Sequence, residues 1–194
     1  MKAIKRIFDI LASLLAIVIL SPFLLMFSII LKLDSKGPIL FKQKRLGKNG
    51  KIFTIYKFRT MVVNAENIGD GISIKSDKDP RITKVGGVYR KTSIDELPQL
   101  FNVLLGDMSL VGPRPPVIYT PYDGYENYPE WAKKRFEMRP GVTGLAQVKV
   151  RNSATWDERI KIDNEYIDRF SLWLDIKILF MTVGKVFGSD NIYN

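Results

Sequence analysis

The stretch ILASLLAIVILSPFLLMFSIIL, running from Ile10 to Leu31, decides how this chain can fold. Of its 22 residues only Ser13, Ser21, Pro22 and Ser28 are not apolar. A straight helix of that length is about 33 Å long, enough to cross a hydrocarbon core of roughly 30 Å. The run is too long for a signal peptide, and no small-x-small cleavage site accompanies it. Pro22 removes an amide donor near the middle and crowds the carbonyl of Val18, and Ser21 can hydrogen-bond a carbonyl freed there. The halves Ile10–Leu20 and Phe23–Leu33 have 11 residues each. Each half reaches about 16 Å, half a bilayer. Both flanks are basic: Lys2, Lys5 and Arg6 before, then Lys32, Lys36, Lys42, Lys44 and Arg45 after. A simple span concentrates its lysine and arginine on one side. A helix that enters, bends at Ser21-Pro22 and returns satisfies both flanks. On the residues alone, a proline-kinked single span stays open beside it.

The 194 residues carry a net charge of +10, unevenly spread. Residues 1–60 hold 12 Lys and Arg against Asp9 and Asp34, while residues 61–194 hold 18 of each sign. The basic excess travels with the apolar segment, as expected for a protein pressed against anionic lipid headgroups. Nucleic acid would attract the same charge. It gives no reason for the apolar run, so no nucleic-acid partner is expected. The chain has no Cys, which excludes disulfides and thiolate nucleophiles. It also has no His, the usual base of Ser and Cys hydrolases. Carboxylates, Lys, Arg, Tyr and oxygen-ligated cations such as Mg²⁺ remain for chemistry.

The remaining pattern predicts an α+β, mostly helical fold. Residues 1–36 form a membrane segment, and residues 37–194 a catalytic domain at the membrane interface. Ile39–Leu46 and Lys51–Arg59 read as strands of a hairpin turning at Asn49-Gly50. Period two puts Lys57 and Arg59 on one face, spaced to grip a phosphate or to solvate a strand edge. Residues 62–90 read as a loop with a helical turn, a place for a lid. Leu97, Leu100, Phe101, Leu104 and Leu105 have the spacing of a buried helix face, with Gly106 as stop. Pro98 and a Ser93-x-x-Glu96 capping box put the start of that helix near Asp95. A short helix at Glu130–Met138, turns at Arg139–Gly144 and a strand at Leu145–Val150 follow. Thr155-x-x-Glu158 opens a helix to about Arg169. Ser171–Phe187 is a last helix, either interfacial on one side or wholly in the core.

Carboxylates at a helix start sit in a positive field that also attracts phosphate. Asp95 would stay ionised there, and Glu96 could hold a Mg²⁺ that bridges substrate oxygens. Arg114, between Pro113 and Pro115, offers a planar fork for phosphate oxygens. The same residues taken singly also suit a plain helix cap and a structural ion pair.

Longer motifs sharpen the reading. Tyr56-Lys-Phe-Arg-Thr-Met61, Asp79-Pro-Arg-Ile-Thr-Lys84 and Arg90-Lys-Thr-Ser-Ile-Asp-Glu-Leu-Pro-Gln-Leu-Phe-Asn-Val-Leu104 lead into Gly106-Asp-Met-Ser-Leu-Val-Gly-Pro-Arg-Pro115 and Arg139-Pro-Gly-Val-Thr-Gly-Leu-Ala-Gln147. With Lys5-Arg-Ile-Phe-Asp9 and Ser21-Pro22, these make the whole chain resemble the bacterial sugar transferases, the monotopic phosphoglycosyl transferases. The resemblance implies transfer of a sugar-1-phosphate from a UDP-sugar to polyprenyl (undecaprenyl) phosphate, with release of UMP. It implies a covalent aspartyl-phosphosugar intermediate and Mg²⁺. By position, Asp95 would be the nucleophile and Glu96 the metal-associated carboxylate. Arg114, Lys57, Arg59, Arg90 and Arg151 would contact phosphate or nucleotide. Val148-Lys149-Val150 stands where the family often has Asn-Gly, which bears on Arg151. Ser21 and Pro22 would break a re-entrant helix, leaving a monotopic protein on the cytosolic face of the bacterial inner membrane. The alternatives are a membrane-bound nucleotide-sugar pyrophosphatase and a non-catalytic scaffold for polysaccharide enzymes.

Overall fold

The computed structural model describes residues 2–68, 79–150 and 154–187. Its first element is a 33-residue helix, α1 (Lys2–Asp34), which runs through Pro22 without leaving helical conformation. The expected break at Ser21-Pro22 is thus not a loss of helix. The carbonyl of Val18, deprived of an amide by Pro22, accepts the Ser21 hydroxyl at 2.8 Å. That bond stands in for the missing rung. Lys5, Asp9 and Ser13, one turn apart, are buried on one face of α1, while Leu11, Leu15, Val18, Ile19, Leu25 and Ile29 are exposed. Among the described residues it is the one helix long and apolar enough to cross a membrane.

Both ends of α1 are tied to the same folded body. At the start, the Lys5 ammonium pairs with Asp175 at 2.6 Å. Arg6 donates to the carbonyls of Val103 (2.6 Å) and Leu104 (3.0 Å). Asp9 accepts from the Ser109 hydroxyl (2.8 Å) and the Leu110 amide (3.2 Å). At the far end, Leu31 is buried with Phe58 and Tyr89, and the Tyr89 hydroxyl donates to the Phe27 carbonyl at 2.7 Å. Arg59 donates to the carbonyls of Pro38, Lys36 and Ser35 at 2.7, 2.8 and 2.9 Å.

Strands β1 (Leu40–Leu46) and β2 (Ile52–Phe58) form the expected antiparallel hairpin, Leu40 opposite Phe58 and Leu46 opposite Ile52. Asn49 and Gly50 take φ of 54° and 73°, the left-handed backbone that this pair favours in tight hairpins. Between the hairpin and the Ile94–Glu96 turn lies α2 (Lys84–Lys91), capped by the Thr83 hydroxyl. The segment read as a loop therefore carries a full helix, and residues 69–78 of the expected lid lie outside the described residues.

Helix α3 (Gln99–Leu105) stops at Gly106, φ 94°. It starts later than expected. Ile94–Glu96 is a separate 3₁₀ turn, Ser93 has φ 57°, and its side chain caps nothing. Nor is the buried face the expected leucine stripe. Gln99, Leu100, Asn102 and Val103 are buried, whereas Phe101 and Leu105 are exposed. Asn102 explains the rotation. Its amide donates to the Thr54 carbonyl (2.7 Å) and its oxygen accepts from the Tyr56 amide (3.0 Å), so α3 presses a polar side chain onto the backbone of β2.

Strands β3 (Ser109–Val111) and β4 (Gly141–Thr143) pair in parallel. A Cβ at Gly141 would come within 2.1 Å of the Gly112 amide, so this contact requires glycine. The supposed turns before Gly144 thus supply a strand. The supposed strand after it is a helix, α5 (Leu145–Lys149), that buries Leu145, Ala146 and Val148. A helix of Glu130–Lys133, α4, continues as a 3₁₀ turn to Glu137. The Thr155–Glu158 capping box opens α6 (Trp156–Asp168) as expected. Helix α7 (Leu172–Phe187) buries Asp175 and Ile178 and exposes Trp173, Lys177 and Phe180. Val111, Met138, Leu145, Val148, Tyr166 and Ile178 form the core beneath it.

Candidate active site

Two adjacent carboxylates in the 3₁₀ turn before α3 have opposite surroundings. Glu96 is clamped. The Lys57 ammonium lies 2.6 Å from its Oε1, and the Arg114 guanidinium reaches the same oxygen at 3.1 Å. Burial alone would raise its pKa, but Lys57 and Arg114 outweigh that and hold it well below the usual carboxylate range. Asp95 is half-buried, and no donor hydrogen-bonds its oxygens among the described residues. Burial pushes it up to about 6. Glu96 adds to the rise, while Lys57, Arg90 and Arg114 oppose it. One carboxylate is ion-paired and held charged, and its neighbour carries no donor and has a raised pKa.

Long-range packing builds this pair. Asn102 fixes β2 against α3, and Lys57 follows Tyr56, whose amide Asn102 holds. Glu96 therefore turns toward Lys57 and Arg114 instead of back to Ser93, which is why no capping box forms. Burial lowers the Lys57 pKa, with Glu96 opposing, and Glu96 raises that of Arg114. Arg90 closes α2 and favours the ionised form of Asp95.

Four of the seven expected side chains, Asp95, Glu96, Lys57 and Arg114, meet here, with Arg90 contributing its field. Arg59 does not join them. It lies one residue past the end of β2, is 5% exposed, and turns its guanidinium to three backbone carbonyls after α1. It does not share a phosphate grip with Lys57. Arg151 lies outside the described residues.

No cluster of three or more metal-ligating side chains exists among the described residues. Asp95 nevertheless has both oxygens undonated, and Glu96 spends one oxygen on its cations. Two such carboxylates suit Mg²⁺, which typically takes one or two protein carboxylates and completes its shell with water and substrate phosphates.

A family model described as bacterial sugar transferase matches residues 1–189. The chain belongs to the bacterial sugar transferase family.

Its relatives include the galactosyl transferase CpsE of Streptococcus agalactiae, 50% identical over 77% of this chain and 35% of CpsE. An Aeromonas hydrophila UDP-N-acetylgalactosamine-undecaprenyl-phosphate N-acetylgalactosaminephosphotransferase is 48% identical, over 94% of this chain and 43% of that protein. The chain thus spans less than half the length of these two relatives. It matches the exopolysaccharide production protein PSS of Rhizobium leguminosarum at 46% identity over 93% of both.

In this sugar transferase several cations escaped the sequence reading. Arg45 on β1 donates to the Pro115 carbonyl at 3.0 Å, next to Arg114. Burial and the charge of Arg114 lower its pKa to about 10. Arg135 donates to the Arg114 carbonyl (2.8 Å) and pairs with buried Asp163 (2.7 Å). Arg159, from the first turn of α6, lies over the Trp156 ring at 5.6 Å. No local pattern distinguishes these arginines from solvated ones; only the density of arginines around Pro113–Pro116 in space does.

Proposed function

We propose that this transferase moves a sugar-1-phosphate from a UDP-sugar to polyprenyl phosphate through a covalent Asp95 intermediate. The observation that carries the reading is the bare, half-buried Asp95 beside a Glu96 locked by Lys57 and Arg114. A carboxylate oxygen of Asp95 attacks the phosphorus that bears the sugar. The bond to the UMP oxygen breaks, and UMP leaves with the electron pair. An oxygen of polyprenyl phosphate then attacks the aspartyl phosphorus and releases Asp95. The acceptor phosphate has a second pKa of about 6 by analogy with phosphoserine, so it is already nucleophilic near neutrality. Neither displacement needs a general base, and a chain without histidine is suited to both. Mg²⁺ bound at Asp95 and Glu96 would supply charge neutralisation at the donor phosphates. Lys57 and Arg114 position Glu96 and add positive field where charge gathers in the transition state.

The same proposal places the protein on the cytosolic leaflet with α1 re-entrant. Along α1, Lys5 and Leu31 are about 39 Å apart if the helix is straight, more than a hydrocarbon core. Both ends nonetheless bond to one body rich in buried charge, through Lys5–Asp175 at one end and Arg59 at the other. A span would put those bonds on opposite sides of the bilayer. A helix that stays within one leaflet keeps them on one side.

Asp95→Asn tests the mechanism. Incubation with UDP-sugar and Mg²⁺ should leave a sugar-phosphate adduct on the peptide bearing Asp95 in the wild type and none in the variant. Transfer should fall at least about a thousandfold, as losses of nucleophiles do. Retained transfer in a folded Asp95→Asn protein would sink the assignment. Sustained UMP release without polyprenyl phosphate would point to the pyrophosphatase instead.

A further inference from the structure

We propose that Arg114 and Arg159, backed by Arg45, form a clamp for the nucleoside-bearing phosphate of the donor. The clamp rests on the transferase reading and names the substrate group those arginines hold. Arg114 touches Glu96 on one side. Its own carbonyl is held on the other by Arg135, whose guanidinium lies 5.8 Å from the Trp156 ring that also carries Arg159. Three arginines therefore converge on one corner, in the order carboxylates, Arg114, then Arg135 and Arg159.

The charges in this corner do not balance. Asp163 is taken by Arg135, and Arg159 makes no ion pair among the described residues. Glu96 must serve both Lys57 and Arg114. The Nε groups of Arg45 and Arg159 are buried with no acceptor. Buried donors without partners are costly, and several around one exposed guanidinium indicate a ligand of several acceptor oxygens. Arg114 is the exposed one, with its side chain 40% accessible. Burial first, and then repulsion from Arg114, lowers the pKa of both Arg45 and Arg159. An anion carrying two or more charges relieves it. With the sugar-bearing phosphate at Asp95, the next phosphate along a nucleoside diphosphate falls beyond Arg114, toward Arg159. Guanidinium forks suit its oxygens.

Isothermal titration of the 194-residue chain with UMP, and separately with uridine, reads this clamp. Arg159→Gln should weaken UMP binding about tenfold and leave uridine binding unchanged. Arg159→Lys should fall between, keeping the charge without the fork. Melting curves establish which variants are folded, and if Arg159→Gln is not, Arg159→Lys decides alone. UMP affinity equal to wild type in the folded variants overturns the clamp, and so does an equal loss for uridine. Wild-type protein that forms no Asp95 adduct from UDP-sugar sinks the transfer mechanism. An adduct formed normally, with Arg159 variants that bind UMP like wild type, sinks the clamp alone.

Discussion

Asp95 and Glu96 are chemically alike and adjacent, and the residues around them make them different. Lys57 and Arg114 take Glu96, which leaves Asp95 without a donor. On the proposed mechanism Asp95 must be ionised to attack, and burial pushes its pKa up to about 6. The rate of adduct formation should therefore be flat above about pH 6 and fall about tenfold per unit below it, as followed by quenched mass spectrometry across pH. Stability runs the other way at this residue. Its folded pKa exceeds the unfolded value of 3.8, so the folded state holds the proton more tightly between about 4 and 6 and loses that contribution as pH rises. Glu96, with its folded pKa depressed, contributes stability above its unfolded 4.5 and loses it as pH falls toward about 2. Lys57 favours the ionised form of Asp95. Lys57→Met should move the acid limb of the adduct-formation profile to higher pH, and an unmoved limb would show that the ammonium does not set it.

At the level of elements, what was legible was local. Asn49-Gly50 forces a hairpin by backbone preference alone, and Thr155-x-x-Glu158 caps its helix with neighbours in sequence. Ser93-x-x-Glu96 has the same pattern and fails, because Lys57 and Arg114 offer Glu96 charged partners that only the tertiary fold brings near. Leu145–Val150 reads as a strand, but Gly141–Thr143 is the segment that pairs with β3, and Leu145–Lys149 is helical. The rotation of α3 depends on Asn102, whose spacing gives no sign that it will bond two backbone groups of β2. Asn102→Leu leaves the Thr54 carbonyl and Tyr56 amide unsatisfied in the interior. It should destabilise the protein by roughly 2–4 kcal/mol in denaturant unfolding. A loss under about 0.5 kcal/mol would remove Asn102 as the link between β2 and the turn that carries Asp95 and Glu96.

At the scale of the whole molecule, the reading turns on where the two ends of α1 lie. With no native cysteine, single cysteines at Lys2 and Lys36 report each end cleanly. In inverted and right-side-out vesicles, both should react with an impermeant maleimide from the cytosolic side only. Labelling from opposite sides would restore the single span. Besides the aliphatic residues of α1, Leu105 on α3 (68% exposed) and Trp173 and Phe180 on α7 (74% and 75%) are apolar and exposed. Burying that surface in lipid is favourable, and leaving it in water is not.

Because α1 is fastened to the folded body at Lys5, and the chain just after it by Arg59, we expect helix and body to move as one piece, like a hull with its keel. A thicker or thinner bilayer then changes the draught of the whole vessel and bends no joint within it. The waterline of Asp95 is then set during folding. If the proposed transfer holds, membranes of graded acyl length become a dial for how readily Asp95 meets a lipid-borne phosphate.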